Sequence, residues 1–364
     1  MNTFGRLLRL TSFGESHGVA IGGILDGMPS GVPIDIEEIQ RALERRRPGQ
    51  SALTTQRRED DLVEILSGIY QGRTLGTPIG FIIRNTDQRS QDYSALDKVY
   101  RPSHADYTYD KKYGHRDPRG GGRASARETA VRVVAGAIAA QLLRLHGVEV
   151  LAYTSGIGDL YLSECYLDNV QRDDIESSLV RCPDGELGRQ IEEEIALAKI
   201  NGDSLGGIVS CVARGVPVGW GEPIYDKLSA RLASAMLSIN AAKTFELGDG
   251  WAMTRAYGSE VNDEMTVDKQ GHVQHMTNHS GGILGGISNG ETLRLRVGFK
   301  PTATIAKPQE TVCRDGNQLK LEAGGRHDPC VVPRAVPIVE AMVCLVLADM
   351  YLLQCSREGL RDED

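Results

Sequence analysis

Residues 125–147, SARETAVRVVAGAIAAQLLRLHG, carry the clearest helical pattern in the chain. Apolar residues recur there every three to four positions from Ala130 to Leu145, which predicts an amphipathic helix. Ser125 and Glu128 have the spacing of a capping box at its start, and Gly147 is typical of a helix end. We therefore predict a long, capped helix between these positions.

Segments on both sides of this helix show strand and helix patterns. A second helix is predicted at 36–46, because Asp35 is a suitable N-cap and Pro48 follows the last turn. Other helical patterns cover 189–199, 227–237 and 338–353, and apolar runs bounded by Gly and Pro predict strands at 7–11, 19–25, 62–66, 79–83, 148–153, 207–213 and 292–297. Because strands and helices are interspersed, the fold class is α/β or α+β.

Length and composition are those of a large globular protein. The 364 residues are 40% hydrophobic and 25% charged. At roughly 150 residues per domain, this length suggests two domains or one unusually large one. The 42 glycines indicate many tight turns and backbone-lined ligand sites. A net charge of −8 disfavours nucleic acid as a partner, so any bound anion must be held by local arginine clusters.

Cysteine usage and hydropathy predict a cytoplasmic protein. The seven cysteines are odd in number and contain no C-x-x-C pair, which argues against a disulfide scaffold or a thiolate zinc site. We expect them to be reduced thiols. The N-terminal stretch contains Arg6 and Arg9 and lacks an export-signal pattern. The apolar run 338–353 is interrupted by Glu340 and Asp349 and is short for a bilayer span, so no membrane insertion is expected.

Arginines cluster around a glycine triplet at the start of the long helix. The triplet is 120–122, and the arginines are Arg116, Arg119, Arg123, Arg127 and Arg132. Backbone N–H groups of such a triplet at a helix N-terminus suit a bound phosphate. The alternative is a solvated basic face in which Glu128 pairs with Arg132. A second run, 45–47, suits either a ligand or the negative end of the helix dipole.

Loop histidines and polar turns supply further candidates. His17 and His104 lie in polar loops and could move protons, although a structural role is the commoner one for any single loop histidine. His272, His275 and His279 have the spacing of helical zinc ligands, but nearby glycines leave little room for a helix, so no metal site is expected. The turn 324–329, GGRHDP, contains a cation, a base and an acid at consecutive positions. Residues 300–304, KPTAT, offer an ammonium and two hydroxyls to a phosphate or a flavin edge.

Nine motifs together resemble the chorismate synthase family from end to end. They are FGESHG (13–18), RRRPG (45–49), NTDQRSQDY (85–93), RPSHADYTY (101–109), GGGRASARET (120–129), SINAAK (238–243), NHSGGILGGIS (278–288), KPTATI (300–305) and GRHDPC (325–330). Each motif alone is a weak signal, but all nine follow the order found in the family.

The resemblance implies a reaction that the residues alone do not reach. It is a redox-neutral anti 1,4-elimination of phosphate from 5-enolpyruvylshikimate 3-phosphate, which gives chorismate and requires reduced FMN without consuming it. The resemblance leaves open whether the enzyme reduces its flavin with NADPH or relies on a separate reductase. The main alternative is a flavin-dependent oxidoreductase acting on another phosphorylated acid. An RNA-binding protein is disfavoured by the net charge and by an aromatic content of only 5%.

Site roles follow from the same resemblance. His17 is expected to supply a proton near the leaving phosphate, His104 to lie against the flavin ring, and Asp328 to assist removal of the C6 proton. The residues expected to bind substrate are Arg46, Arg47, Arg127, Arg132 and Arg326. The expected FMN contacts are Arg123, Ala124, Ser125, Asn240, Ala241, Gly285, Lys300, Thr302, Ala303, Thr304 and Arg326.

The resemblance also implies one α+β domain across 1–364 and a homotetrameric assembly. The expected architecture is a β-α-β sandwich with two antiparallel sheets inside and helices outside. Two positions depart from the pattern of many relatives. Ala124 replaces a serine, which leaves its backbone contact available. Ala52 replaces an arginine that some bacterial relatives have, so any cofactor or nucleotide contact of that side chain is lost. Neither departure affects the expected reaction.

Overall fold

The structure, a computed structural model, describes residues 1–49, 61–86, 99–115, 117, 119–164, 166–322 and 328–357. Its helices are α1 (Ile36–Arg46), α2 (Asp106–Tyr113), α3 (Thr129–Arg144), α4 (Arg172–Glu176), α5 (Gly185–Ile200), α6 (Leu228–Leu237), α7 (Gly258–Val261) and α8 (Val332–Cys355). Short 3₁₀ turns cover Arg119–Ala124, Ala126–Glu128 and Gly250–Arg255.

The strands alternate with these helices along the chain. They are β1 (Thr3–Phe4), β2 (Arg9–Gly14), β3 (Ala20–Asp26), β4 (Val63–Ile65), β5 (Ile69–Tyr70), β6 (Arg73–Thr74), β7 (Ile79–Arg84), β8 (Glu149–Ile157), β9 (Leu160–Tyr161), β10 (Gly207–Arg214), β11 (Ala242–Leu247), β12 (Met265–Val267), β13 (Val273–His275), β14 (Ile283–Leu284), β15 (Ile287–Ser288), β16 (Leu293–Phe299), β17 (Gln309–Val312) and β18 (Gln318–Leu321).

In the described part of the chain, most of these strands form two five-stranded antiparallel sheets. The first has the order β1-β2-β3-β7-β4, and the second has the order β11-β16-β10-β8-β9. Strand β16 alternates strictly between buried and half-buried residues, as expected of a strand with one face on the core. All seven predicted strands are present, shifted by a few residues, and the α+β class is confirmed.

The helices α3 and α8 pack together in a layer between the two sheets. Helix α3 packs against α8, against β2 and β3 of the first sheet, and against β8 of the second sheet. Helix α8 packs against β8 and β10, and α1 packs against both α3 and α8. The expectation of helices outside the sheets is therefore wrong for α3 and α8. A helix that is apolar on all sides is buried on all sides, and 13 of the 16 residues of α3 are buried.

A glycine allows the two central helices to approach closely. A Cβ added at Gly136 of α3 would lie 2.3 Å from both Cα and Cβ of Ala341 in α8. Real Cβ atoms do not make such contacts, so any larger residue would force the helices apart. The small side chains of this contact therefore set the thickness of the helical layer.

Helix α8 is longer than its sequence pattern predicted. It has 24 residues and a mean hydropathy of 2.0 over its most apolar window, which is long and apolar enough to cross a membrane. The prediction that this run is too short to span a bilayer is therefore wrong. However, 83% of that window is buried against other elements of the protein, which is typical of a core helix.

The two acids that interrupt this apolar helix are both buried and bound. Glu340 accepts hydrogen bonds from Arg45, from Arg172 and from the backbone N–H of Ala152 at 3.0 Å. Burial raises the pKa of Glu340, but the two arginines and the hydrogen bonds lower it to about 2. Asp349 binds backbone N–H groups of the N-terminal segment. Both acids are therefore structural ionic contacts of the core.

Candidate active site

A large cavity opens at one end of the helical layer. Its volume is about 1440 Å³. It is lined by the N-terminal residues 1–4, by β2 and the loop after it, by the start of α2 and by the 3₁₀ turns before α3. The residues after α6, the loop after β16 and the first turns of α8 complete the wall. We call this space the main cavity.

Most of the residues singled out in the sequence line the main cavity. They come from separate stretches of the chain, which the helical layer brings together. These residues are Arg46, His104, Arg123, Ala124, Ser125, Arg132, Asn240, Ala241, Lys300, Thr302, Ala303, Thr304 and Asp328.

Four other candidates do not line this cavity in the described structure. His17 is buried in the same loop as Glu15, with its Nδ1 atom 3.2 Å from the hydroxyl of Ser16. Arg47 and Arg127 also lie outside the lining, and Gly285 lies in the turn between β14 and β15. Arg326 falls outside the described residues, as does position 52.

A buried carboxylate holds two of the predicted substrate arginines. Asp61 accepts hydrogen bonds from Nη1 of Arg46 at 3.0 Å and from Nη1 of Arg127. The Nε atom of Arg127 also donates to Oδ1 of Asn85 at 2.9 Å, and its Nη2 atom to the carbonyl of Arg84. Asp61 has a φ of 48°, an unfavourable value for a residue with a side chain. The network therefore fixes Arg46 at the cavity wall and keeps Arg127 behind it.

The glycine triplet faces a carboxylate of the protein itself. A Cβ added at Gly122 would lie 2.7 Å from Oε2 of Glu15, so the carboxylate lies directly beside this glycine. Burial raises the pKa of Glu15, Arg123 opposes the increase, and Asp117 reinforces it. The side chain of Arg123 donates to the hydroxyl of Ser12 at 2.6 Å. Glu15 thus lies beside the backbone where the sequence predicted a phosphate.

Ser125 and Arg132 are both fixed by hydrogen bonds within the segment that begins α3. Ser125 caps the 3₁₀ turn by accepting from the backbone N–H of Arg127 at 3.3 Å. Glu128 pairs with Arg132 at 2.8 Å instead of closing a capping box, so the alternative assignment of this pair is confirmed. The Nη1 atom of Arg132 also donates to the hydroxyl of Ser238 at 2.7 Å.

His104 is tied to a buried ion pair. Its Nδ1 atom lies 2.9 Å from Oδ1 of Asp106, and Asp106 accepts from Nε of Arg101 at 2.8 Å and from Nη2 at 2.9 Å. Burial raises the pKa of Asp106, but the hydrogen bonds from Arg101 and His104 outweigh burial and lower it well below its usual range. Asp106 is therefore ionised at neutral pH and orients the imidazole.

Comparison with known proteins assigns the whole chain to one family. The chorismate synthase family model matches residues 8–352. The chain belongs to the chorismate synthase family. It is 56% identical over 359 residues to the chorismate synthase of Porphyromonas gingivalis, with 99% of this chain and 97% of that protein covered. It is 56% identical over 354 residues to that of Trichormus variabilis, with 96% and 97% covered.

A solved structure extends this similarity to the fold. A crystal structure of a chorismate synthase matches with a TM-score of 0.76 and 32% identity, and the match covers 96% of this chain and 93% of the other. The predicted family is confirmed, and with it the prediction that the chain is an enzyme of the lyase class. The main cavity is therefore the candidate active site of a chorismate synthase family member.

The far wall of this cavity carries one arginine that the sequence analysis missed. Arg334 of α8 pairs with the carboxylate of Asp328, and its Nε atom donates to the carbonyl of Arg46 at 3.2 Å. The helix was predicted to begin at 338, so Arg334 was not assigned to its first turn. The signal that would have found it is Pro333, because proline is favoured at the first positions of a helix.

Lys300 is also held at this wall. Its Nζ atom donates to the carbonyl of Ser103 at 3.1 Å, which joins the loop after β16 to the segment that carries His104. Burial and the nearby charge of Lys243 lower the pKa of Lys300. A desolvated ammonium of this kind gains more from a bound anion than an exposed lysine would.

The three histidines with zinc-like spacing lie in a hairpin region, not in a helix. His275 ends β13, and the three rings face three different acids, Asp268 for His272, Glu291 for His275 and Asp249 for His279. The described residues contain no group of three or more His, Cys, Asp or Glu side chains that could hold a metal ion. The imidazoles therefore do not converge on one point.

Proposed function

We propose that the chain converts 5-enolpyruvylshikimate 3-phosphate to chorismate, a step of the shikimate pathway towards the aromatic amino acids, with reduced FMN bound in the main cavity. The observation that carries the proposal is the convergence of guanidinium groups from distant stretches. Arg46, Arg123, Arg132 and Arg334 belong to four different elements, and all of them line this one space.

The negative charges of the substrate would explain why several arginines line the main cavity. The molecule carries two carboxylates and one phosphate, and charge-assisted hydrogen bonds contribute about 1.5–3 kcal/mol each. In the described structure, the bonds of Arg334 to Asp328 and to the carbonyl of Arg46 use only part of its fork of N–H donors. The remaining donors are available to a ligand. Lys300 adds a partly desolvated ammonium on the same wall.

An unsatisfied polar atom supports a bound flavin. Asn240 donates from Nδ2 to the carbonyl of Ala124 at 3.0 Å, which fixes the amide. Its Oδ1 atom is buried and has no hydrogen-bond partner among the described residues. A buried acceptor without a partner costs about 1–3 kcal/mol, so the site favours a ligand that brings an N–H donor, as an isoalloxazine ring does. A volume of about 1440 Å³ leaves room for cofactor and substrate together.

The residues around this space would divide the work as follows. Arg123, Ala124, Ser125, Asn240 and Ala241 would contact the cofactor from one side, and Lys300 and 302–304 from the other. Reduced FMN held by these residues would supply electron density to the charge that develops as the allylic C–O bond breaks. The arginines would bind and orient the substrate, and a bound substrate and cofactor would displace water that screens their charges. His104 would hold a proton beside the flavin, and Asp328, fixed by Arg334, would assist removal of the C6 proton.

Three broader properties belong to the same proposal. One domain across 1–364 is supported by a core cluster that contains residues of both sheets and of the helices between them. A cytoplasmic location is supported by the free cysteines of the described residues, four of which are buried. A homotetramer is inferred from the family resemblance. A sedimentation measurement giving another assembly would contradict that last inference.

The decisive assay is phosphate release. The purified protein is mixed anaerobically with 5-enolpyruvylshikimate 3-phosphate and FMN reduced with dithionite, and phosphate and chorismate are measured. We expect many turnovers per flavin, whether NADPH or a separate reductase supplies the electrons in the cell. Flavin oxidation in step with product formation would instead favour the flavin-dependent oxidoreductase.

Two substitutions test the proposed proton transfers. His17→Ala and Asp328→Ala should each lower turnover by at least about tenfold while FMN still binds, because acid–base groups typically contribute at least that much. The His17 variant is the more informative of the two, because His17 is buried and does not line the main cavity in the described structure. A wild-type rate in either variant would remove that residue from the mechanism.

A further inference from the structure

The environment of His104 determines which of its two nitrogens can act in the cavity. The Nδ1 atom lies 2.9 Å from Oδ1 of Asp106 and 3.1 Å from Nη2 of Arg101. These contacts make opposite demands. An ionised carboxylate only accepts hydrogen bonds and requires a proton on Nδ1, whereas a guanidinium only donates and requires a lone pair there.

Two observations favour the carboxylate. Arg101 already donates to both oxygens of Asp106, at 2.8 Å and 2.9 Å, so its Nε atom and one of the two N–H groups of Nη2 are engaged without the imidazole. The hydrogen bond of Nδ1 to Asp106 is also the shorter of the two contacts. Both members of the ion pair are buried, with side-chain exposures of 7% and 3%, so water does not weaken the field of the carboxylate.

The opposite edge of the ring lies beside Gly121 in the wall of the main cavity. His104 lines the main cavity, and a Cβ added at Gly121 would lie 3.1 Å from its Cε1 atom and 3.4 Å from Nε2. Gly121 has a φ of 85°, a backbone conformation that favours glycine. Because Gly121 has no side chain, its backbone can lie close to Cε1 and Nε2 of the imidazole.

We propose that Asp106, clamped by Arg101, is a positioning residue that keeps the proton of neutral His104 on Nδ1 and so presents Nε2 to the cavity as the nitrogen that exchanges protons. The catalytic part of this assignment rests on the proposed function, but the orientation of the ring does not.

The first test needs neither substrate nor flavin. Nitrogen-15 NMR of histidine-labelled protein reports which ring nitrogen carries the proton, and a His104→Gln variant identifies the His104 signals among those of the eight histidines. At a pH where the ring is neutral, we expect Nδ1 to be protonated in the unmodified protein. A ring protonated mainly on Nε2 would overturn the proposal, whatever the enzyme catalyses.

The second test uses an isosteric change. Asp106→Asn removes the charge and should move the proton of neutral His104 towards Nε2. It should also lower kcat for phosphate release by at least about tenfold, since a misplaced proton costs far more in related triads. KM should change by less than about threefold, because Asp106 does not bind the substrate. An unchanged tautomer together with an unchanged kcat would overturn the proposal.

A matched control lies on the same helix. Asp110 pairs with Arg314 at 2.9 Å and is not part of the cavity wall in the described structure. Asp110→Asn therefore makes the same chemical change four positions away and should leave both the His104 signals and kcat unaltered. If the unmodified protein released no phosphate but showed the predicted tautomer, the proposed function would fail while the positioning role of Asp106 stood.

Discussion

Replacement of Asp349 by asparagine should destabilise the protein strongly, although the two side chains have the same size. Asp349 lies in α8 and is fully buried. Its Oδ1 atom accepts from the backbone N–H groups of Leu7 at 2.8 Å and Leu8 at 3.0 Å. Its Oδ2 atom accepts from the N–H of Arg6 at 2.9 Å and from Nη2 of Arg231 at 3.0 Å.

The magnitude follows from this geometry. In its better orientation, an asparagine keeps the two bonds at Oδ1 and places an NH₂ group against the two donors at Oδ2. Two hydrogen bonds to a charged group are lost, at about 1.5–3 kcal/mol each. Water can reach Arg6 and recover part of that loss. We therefore expect Asp349→Asn to lower the free energy of unfolding by about 3–5 kcal/mol, the usual cost of breaking a buried ion pair.

Urea unfolding followed by tryptophan fluorescence measures this difference. The protein concentration must be the same for all variants, because assembly stabilises folded protein by mass action. Asp26→Asn is the matched control. Asp26 pairs with Arg9 at 2.6 Å, but the two side chains are 37% and 54% exposed. Such surface pairs contribute about 0–1 kcal/mol. If the two variants differed by less than about 1 kcal/mol, the reasoning would be refuted.

Three further outcomes are expected. Gly136→Ala should destabilise the protein by about 1–3 kcal/mol in thermal or urea unfolding, because the new Cβ would lie 2.3 Å from the facing helix. The control is Gly185→Ala, which should not destabilise the protein, because a Cβ at that position has nothing within 4 Å. Burial raises the pKa of Glu340, but two arginines lower it from 4.5 to about 2. The ionised side chain therefore contributes about 3 kcal/mol to the free energy of unfolding above pH 4.5, and this contribution is lost as the pH falls towards 2. The unfolding free energy of Glu340→Gln should change less across that pH range than that of the unmodified protein. Arg132→Lys should raise KM for the substrate at least about fivefold, because lysine cannot form the paired bonds of a guanidinium; an unchanged KM would exclude Arg132 from substrate binding.

Local structure could be predicted from the sequence wherever one residue pattern determined it. Helix α1 begins and ends at the predicted residues, and Asp35 caps it by accepting from the N–H groups of Glu37 and Glu38. The strand patterns were recognised because one face of each strand meets the core. The start of α3 was less accurate. Ser125 caps a 3₁₀ turn, and the α-helix begins at Thr129, because Glu128 pairs with Arg132 instead of capping.

The composition of α3 and α8 indicates that both helices lie inside the protein. The segment 129–144 contains only two charged residues, Arg132 and Arg144, and 338–353 is apolar apart from Glu340 and Asp349. Such helices cannot lie on an outer surface without exposing apolar area on one side. The family resemblance suggested outer helices, whereas the composition of these two segments favoured an inner layer.

Site residues could be predicted as members of motifs, but not their orientations. Adjacent arginines show why. Arg45 pairs with Glu340 and with Glu176, whereas its neighbour Arg46 pairs with Asp61 and lines the main cavity. Successive residues of a helix point in different directions, so a run of arginines necessarily divides between two sides. No local pattern states which arginine faces the ligand, because that depends on where the partner carboxylates lie.

Because Arg45 contacts α8 and its neighbour Arg46 lines the main cavity, the packing of the helices and the geometry of the site depend on each other. Arg45 anchors the end of α1 to Glu340 in the middle of α8, and Arg46 and Arg334, from the same two helices, line the main cavity. The spacing of α3 and α8 is set by the glycine contact at Gly136. A change that widens that contact should therefore move guanidinium groups at the cavity wall. Substrate affinity should then fall in Gly136→Ala even at temperatures where the variant remains folded, and an unaltered KM would show that the layer and the site are independent.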